Sequence, residues 1–363
     1  MIMNDEYYMK SALNLARKGL GCVSPNPMVG AVIVKNSRII GKGYHQRFGG
    51  NHAEINAIKN AGCDVEGSTL YVTLEPCCHE GKTPPCVNSI IENKIARVVI
   101  GAIDSNPLVC SEGVNCLQNS GIEVKTGVLA DECRKLNEIF FHYMETGMPF
   151  ITVKYAQTLD GRIATATGIS QWISSPASLK FAHRLRAEHD AILVGRGTID
   201  MDNPELTVRL VRGRNPLRVI VDSALNISEN AKIFQNTSLA PTLIATLKTA
   251  SNPRFKRLAS LGAEIITVKA DKNGKVELKS LFKILAKRKI SSVLIEGGAQ
   301  IITYVIKNNL ANRLVTVVAP KIIGRGIEAV GDLNIRNLES AKKISVRRVF
   351  KRGEDIIIDG RLT

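Results

Sequence analysis

Aromatic residues are scarce in this chain: one Trp, seven Tyr and nine Phe make up 5% of its 363 residues. A groove for single-stranded nucleic acid needs aromatic platforms on which bases stack, so the scarcity argues against one. No apolar run approaches the ~20 residues needed to cross a bilayer. The best runs, such as Leu314–Ala319, are strand-sized. The N-terminus lacks a basic stretch followed by an apolar core, and Asp5 and Glu6 stand beside Tyr7 and Tyr8. It reads as the first turns of a helix, not as a secretory signal, and the expected location is the cytoplasm. Internal repeats and low-complexity tracts are also missing.

What is present divides in two. The length exceeds one ordinary core, and 44% hydrophobic with 23% charged residues is globular composition. The net charge of +16 is uneven: residues 1–147 carry −1 and residues 148–363 carry +17. All eight cysteines (Cys22, Cys63, Cys77, Cys78, Cys86, Cys110, Cys116, Cys133) fall in the first 133 residues. Without a secretory signal a disulfide framework is not expected, and a metal site is the better reading. Thr146-Gly147-Met148-Pro149 is the linker candidate, which gives domains over 1–146 and 147–363.

Both halves alternate strand and helix signals, so each is expected to be an α/β domain with helices on the faces of a sheet. In the first half, Gly30–Lys35 and Arg38–Tyr44 flank Asn36-Ser37 as a hairpin, and Ala53–Ala61 suits a helix. In the second, strands are expected at Phe150–Tyr155, Ala191–Val194, Arg218–Asp222, Thr242–Ala245, Glu264–Thr267, Ser292–Glu296 and Arg313–Ala319. Ser175-Pro176 is a strong helix start, an N-cap followed by Pro. Ser345–Phe350 and Asp355–Asp359 have no helix between them and suggest an antiparallel hairpin.

His52-Ala53-Glu54 opens a helix after Gly49-Gly50, and Glu75-Pro76-Cys77-Cys78-His79 through Cys86 follows. A catalytic zinc keeps three protein ligands and leaves a fourth position for water, whose pKa the metal lowers. A carboxylate beside the metal must carry the water proton to the ring nitrogen and the departing ammonia. His-x-Glu places Glu54 two residues from a ligand, the signature of the zinc deaminases. Cys77, Cys78, His79 and Cys86 all compete as further ligands. Cys22, Cys63, Cys110, Cys116 and Cys133 are expected to be packing residues.

The loop Glu75-Pro76-Cys77 … Gly81-Lys82-Thr83-Pro84-Pro85-Cys86, with Pro25-Asn26-Pro27-Met28-Val29-Gly30 upstream, resembles the bifunctional riboflavin-biosynthesis deaminase/reductase family. The Cys77–Cys86 gap of nine is that family's, where the general deaminase signature has three. The resemblance implies a cytidine-deaminase-like three-layer αβα domain with His52, Cys77 and Cys86 on zinc and Glu54 as proton shuttle. Asn26, His79 and Lys82 would bind substrate. One departure stands out: the family has a basic residue between two glycines where this chain reads Ser111-Glu112-Gly113, and a carboxylate cannot hold a phosphate.

The second half has no Gly-x-Gly-x-x-Gly after its first strand, so a Rossmann site lacks support. It does have Ile295-Glu296-Gly297-Gly298-Ala299-Gln300, paired glycines before a helix, which let backbone N–H groups approach a phosphate. Val153–Arg162, Ser170–Ser174, Asp202–Arg209, Val221–Ser223 and Ala319–Lys321 resemble, in order, the dihydrofolate-reductase-like domain of the same family. The resemblance implies NADPH contacts from Ala156, Trp172, Thr198, Asp202, Ser223 and the turn Gly298, Ala299, Gln300, Ile301, Ile302, Thr303, Tyr304. It implies substrate contacts from Ser170, Arg186, Leu206, Arg209 and Glu296, and Lys154 and Asp160 are candidates for polar roles near C1′ of the ribosyl group.

The expected activity is zinc-dependent deamination of 2,5-diamino-6-ribosylamino-4(3H)-pyrimidinone 5′-phosphate, then NADPH-dependent reduction of 5-amino-6-(5-phosphoribosylamino)uracil to its ribityl form. Expected partners are these phosphorylated pyrimidines and further copies of the chain, not nucleic acid or membrane. Two rivals are a tRNA-type editing deaminase with a basic accessory domain, and a non-catalytic binding protein that kept the fold. The scarce aromatics weigh against the first, and the intact His52, Glu54, Cys77 and Cys86 against the second.

Overall fold

The computed structural model describes residues 4–80, 84–105 and 111–363. The chain divides into two compact units, Met1–Gly147 and Met148–Thr363.

The first unit opens with α1 (Asp5–Ala16), where Asn4 accepts the Tyr7 N–H at 3.1 Å as N-cap. The elements that follow are β1 (Gly30–Lys35), β2 (Arg38–Tyr44), α2 (Ala53–Lys59), β3 (Thr69–Leu74) and α3 (Cys86–Glu92). The unit ends with β4 (Arg97–Ala102), α4 (Glu112–Asn119), β5 (Glu123–Lys125), α5 (Ala130–Leu136) and α6 (Glu138–Thr146). The sheet runs β2-β1-β3-β4-β5, antiparallel at the expected hairpin and parallel from β3 onward. Each face buries its own core. Ala53, Ala57, Val87, Ile90 and Leu117 from α2, α3 and α4 cover one side. Met9, Ala12, Leu13, Cys133, Phe140 and Phe141 from α1, α5 and α6 cover the other. The unit is a three-layer αβα domain.

Gly43 sets how closely α2 can lie on β2. A Cβ there would stand 2.2 Å from the Ala53 carbonyl oxygen and 2.3 Å from the Ala57 nitrogen, both backbone atoms of α2. No rotamer change can relieve such a clash, and overpacking of this kind costs about 1–3 kcal/mol. Gly43→Ala is therefore expected to lower the melting temperature, because α2 would have to shift on the sheet. A variant with an unchanged melt would refute this account of the packing.

The second unit begins with β6 (Phe150–Thr158), β7 (Arg162–Thr165), α7 (Pro176–Glu188), β8 (Ala191–Gly195), α8 (Arg196–Asp202) and β9 (Leu217–Val221). Then come α9 (Lys232–Gln235), β10 (Thr242–Thr246), α10 (Pro253–Ser260), β11 (Ala263–Thr267), α11 (Leu278–Lys287) and β12 (Ser292–Ile295). It closes with α12 (Ala299–Lys307), β13 (Arg313–Ala319), β14 (Gly326–Glu328), β15 (Ile344–Arg352) and β16 (Asp355–Leu362). Nine strands form one sheet in the order β11-β10-β9-β8-β12-β6-β13-β16-β15. The seven from β11 to β13 are parallel, and β16 and β15 add the antiparallel hairpin expected from the sequence. Helices α11 and α12 cover one face; α7, α8, α9 and α10 supply buried side chains to the other. Burial on both faces is why Ala191–Val194 is a continuous apolar run.

The sequence reading missed α8 and the separate two-stranded sheet of β7 and β14, whose partners lie more than 160 residues apart. Helix α11 stops at Lys287, and Lys289 takes φ +62 in the left-handed region. Two cysteines also depart from expectation: Cys22 and Cys63 are exposed, whereas Cys133 is buried and burial pushes its thiol up to about 12. Cys116 packs partly buried against the core, and Cys110 lies outside the described residues.

Candidate functional site

In the first unit, His52 is the N-cap residue of α2 and Glu54 sits in its first turn. Cys86 is the first residue of α3, and Cys77 follows the C-terminal end of β3. Two helix N-termini and one strand end thus converge. His52, Cys77 and Cys86 offer ligand atoms all within 4.8 Å of one another. The His52 Nδ1 stands 3.2 Å from the Cys86 sulfur and 3.5 Å from that of Cys77. Among the described residues this is the cluster able to hold a metal, and neither Cys78 nor His79 belongs to it.

The electrostatics suit a dication. The hydrogen bond from the Cys86 thiol, ahead of burial, holds the Cys77 thiol down to about 4 and pushes that of Cys86 up. The Cys77 sulfur in turn raises His52. One thiolate and an imidazole drawn toward its charged form are therefore stabilised by mutual contact, a role a divalent cation bound to both thiolates would take over. Glu54 is 3% exposed, and its Oε2 has no hydrogen-bond partner. Burial raises its carboxyl to about 7 against the opposing pull of His52. An orphaned oxygen on a buried acid beside a three-ligand cluster is a donor set that fits catalytic zinc.

Asn26 approaches this site through a residue the sequence reading missed. Its Nδ2 lies 3.3 Å from the His45 Nε2, and the His45 Nδ1 lies 3.0 Å from the Asn51 carbonyl oxygen. His45 therefore donates from Nδ1 and accepts from Asn26, and its ring meets that of His52 edge-on at 5.3 Å. Its position at the end of β2, seven residues before His52, was the available signal. The His79 Nδ1 is also buried without a partner. Lys82 lies outside the described residues. Glu75 accepts the N–H groups of Asp104, Ser111 and Val114 at 3.1–3.2 Å, which ties the motif to the start of α4.

The second unit holds a cavity of about 1200 Å³. Its wall includes Ala156, Ser170, Trp172, Arg186, Thr198, Asp202, Leu206, Arg209, Ser223 and Glu296 from the expected set. The turn contributes Gly298, Ala299, Gln300, Ile301, Ile302 and Tyr304. Thr303 points elsewhere: its hydroxyl donates to the Ala299 carbonyl and accepts the Gly331 N–H. Asp160 is also absent from the wall, because its carboxylate accepts the N–H groups of Ile323 and Gly324 in a turn. Trp172, the lone tryptophan, is 65% exposed and not a core aromatic.

Gly297 and Gly298 take φ +118 and +80, and a Cβ on Gly297 would stand 3.3 Å from the Thr198 hydroxyl oxygen. The close approach leaves backbone N–H groups open at the start of α12, which suits a cofactor phosphate. Across the cavity, Arg186 grips Glu296 through two bonds of 2.9 and 2.7 Å and donates to the Thr207 carbonyl at 3.1 Å. Burial alone would raise the Glu296 carboxyl, but Arg186 holds it down to about 2. Burial lowers Lys154, which lines the same wall. Ser170, expected at the substrate, and Asp202, expected at NADPH, are bonded to each other at 2.6 Å, so the two contact sets meet there.

The comparisons cover both halves of the chain. Residues 2–102 match the cytidine and deoxycytidylate deaminase zinc-binding region, and residues 149–358 match the RibD C-terminal domain. The riboflavin biosynthesis protein RibD of Aquifex aeolicus is 45% identical over 98% of this chain and 97% of its own. That of Escherichia coli is 36% identical over 98% and 99%. A Thermotoga maritima diaminohydroxyphosphoribosylaminopyrimidine deaminase/5-amino-6-(5-phosphoribosylamino)uracil reductase superposes with TM-score 0.87 at 40% identity, covering 99% of each chain. The chain belongs to the RibD family of riboflavin biosynthesis, in which a zinc-dependent deaminase and an NADPH-dependent reductase are joined on one polypeptide.

Proposed function

We propose that residues 1–146 deaminate 2,5-diamino-6-ribosylamino-4(3H)-pyrimidinone 5′-phosphate and that residues 147–363 reduce the ribosyl group of the product to ribityl. The observation that carries the reading is the convergence of His52, Cys77 and Cys86 within 4.8 Å beside the unpartnered Glu54 oxygen. When bound, zinc lowers the pKa of a water at its open position. His52, Cys77 and Cys86 would hold the ion. Glu54 takes one proton from the water and passes it to the ring nitrogen as the oxygen bonds the ring carbon. It then carries the remaining hydroxyl proton to the amino group as its bond to that carbon breaks and ammonia leaves. Asn26 and His79 orient the pyrimidine, and Lys82 meets its phosphate.

In the second unit, NADPH supplies the hydride for C1′. Ala156, Trp172, Thr198, Asp202, Ser223 and the Gly298–Tyr304 turn, without Thr303, hold the cofactor. Ser170, Arg186, Leu206, Arg209 and Glu296 position the phosphorylated ribosylaminouracil. The excess of cations in residues 148–363 draws such anions in. The reading also makes the protein a cytoplasmic homo-oligomer acting on small phosphorylated pyrimidines and not on nucleic acid or membranes; no described helix is long and apolar enough to cross a membrane.

Chelation tests the two halves together. Removing zinc is expected to abolish ammonia release from the diaminopyrimidinone substrate and to leave NADPH oxidation unchanged when the deaminated intermediate is supplied directly. Ammonia release that survives complete loss of metal would overturn the first half of the reading. Failure to oxidise NADPH with the supplied intermediate would overturn the second.

A further inference from the structure

His183 lies on α7, three residues before Arg186, and lines the reductase cavity. Its Nδ1 is 2.9 Å from the backbone nitrogen of Arg209 and 3.5 Å from that of Leu210. Both are N–H donors, so Nδ1 is an acceptor and carries no proton. A neutral imidazole has one proton, which places it on Nε2. The ring stays neutral because burial, reinforced by the positive charges of Arg186 and Arg209, lowers its pKa to about 4. His183 is 4% exposed as a residue, yet its Nε2 is not among the sealed polar atoms and has no partner among the described residues. An N–H donor fixed in direction by a backbone contact therefore remains free in the cavity wall.

The surroundings say what it would meet. Lys154, Arg186 and Arg209 line the same cavity against the carboxylates Glu205 and Glu296, a net positive wall. Arg186 has already committed three of its five N–H groups to Glu296 and Thr207. Arg209 is drawn to Glu205 at 3.3 Å and to the Thr207 hydroxyl at 3.1 Å. A phosphate has more acceptor sites than these guanidiniums have free donors, and a neutral N–H adds a directed bond without adding repulsion among the cations.

Resting on the reductase reading above, we propose that His183 is a substrate-binding residue whose Nε2–H donates to the phosphate of the ribosylaminouracil substrate while Nδ1 holds the Arg209 segment. Two substitutions separate these tasks. His183→Asn keeps an acceptor near the place of Nδ1 and removes the cavity donor. His183→Gln keeps a donor near the place of Nε2 and removes the acceptor. With the full chain at saturating NADPH and the supplied intermediate, His183→Asn is expected to raise KM about 10-fold, with kcat and the KM for NADPH within about two-fold. His183→Gln should stay within about three-fold of the unaltered chain in KM. On the dephosphorylated nucleoside, the asparagine variant and the unaltered chain should have equal KM.

A wild-type KM for His183→Asn overturns the proposal. So do equal losses on phosphorylated and dephosphorylated substrates, which would leave His183 only its hold on the loop. If one variant fails to bind NADPH and is therefore misfolded, the other still decides. Absence of turnover by the unaltered chain overturns the reductase reading and this assignment with it.

Discussion

Glu54→Gln is expected to cut ammonia release by about 10³-fold, within the range that a positioned proton carrier contributes, while zinc stays at one per chain. The amide keeps the shape of the carboxyl and cannot carry a proton. Stability should barely change, because Oε2 has no partner to lose. Zinc should remain because the atoms able to hold it are those of His52, Cys77 and Cys86 and not of Glu54. Metal analysis of the purified variant, a thermal melt and an ammonia assay decide it together. A loss under about tenfold with the metal retained would remove Glu54 from the proton path. Loss of zinc with the activity would make it a structural support instead.

The other large effect belongs to the pair across the reductase cavity. Arg186 and Glu296 are both nearly sealed from solvent, with side chains 14% and 8% exposed. Removing one partner of a buried pair strands the other charge and costs about 3–5 kcal/mol. For a unit of this size that converts to a melting temperature lower by about 6–20 °C in Glu296→Ala. The double variant Arg186→Met/Glu296→Leu removes both charges and should recover most of that stability while NADPH oxidation stays lost. Calorimetry combined with the assay separates folding from binding. A shift of under about 2 °C in Glu296→Ala would mean that water replaces the lost carboxylate and that the pair is not the clamp described. Acid makes a matching test. The Glu296 carboxyl has an ordinary value of 4.5 and is held at about 2 in the fold. Its contribution is full above pH 4.5 and fades as the pH falls toward about 2.

The metal cluster was legible because its chemistry is written locally. His52 and Glu54 share one helix start, and Cys77 and Cys86 share one loop whose spacing is distinctive. The reductase cavity was not legible in that way. Ala156, Thr198, Ser223 and Glu296 come from four places in the chain, and the order β9-β8-β12-β6 makes them neighbours. Only the resemblance, and not any spacing, pointed to them as a set. His45 and His183 escaped because each works through a backbone group that the fold alone brings near: the Asn51 carbonyl for one, the Arg209 N–H for the other.

Residue type and periodicity by themselves determined the two α/β units, the place where the chain divides by charge and cysteine, and the β15–β16 hairpin, because each is decided by composition or by contacts between near neighbours in sequence. Tertiary structure alone decided that Thr303 and Asp160 turn away from the cavity, that Cys22 and Cys63 are exposed, and that β7 pairs with β14. Those outcomes depend on which distant backbone groups arrive beside a side chain. A chain read residue by residue carries no record of that arrival.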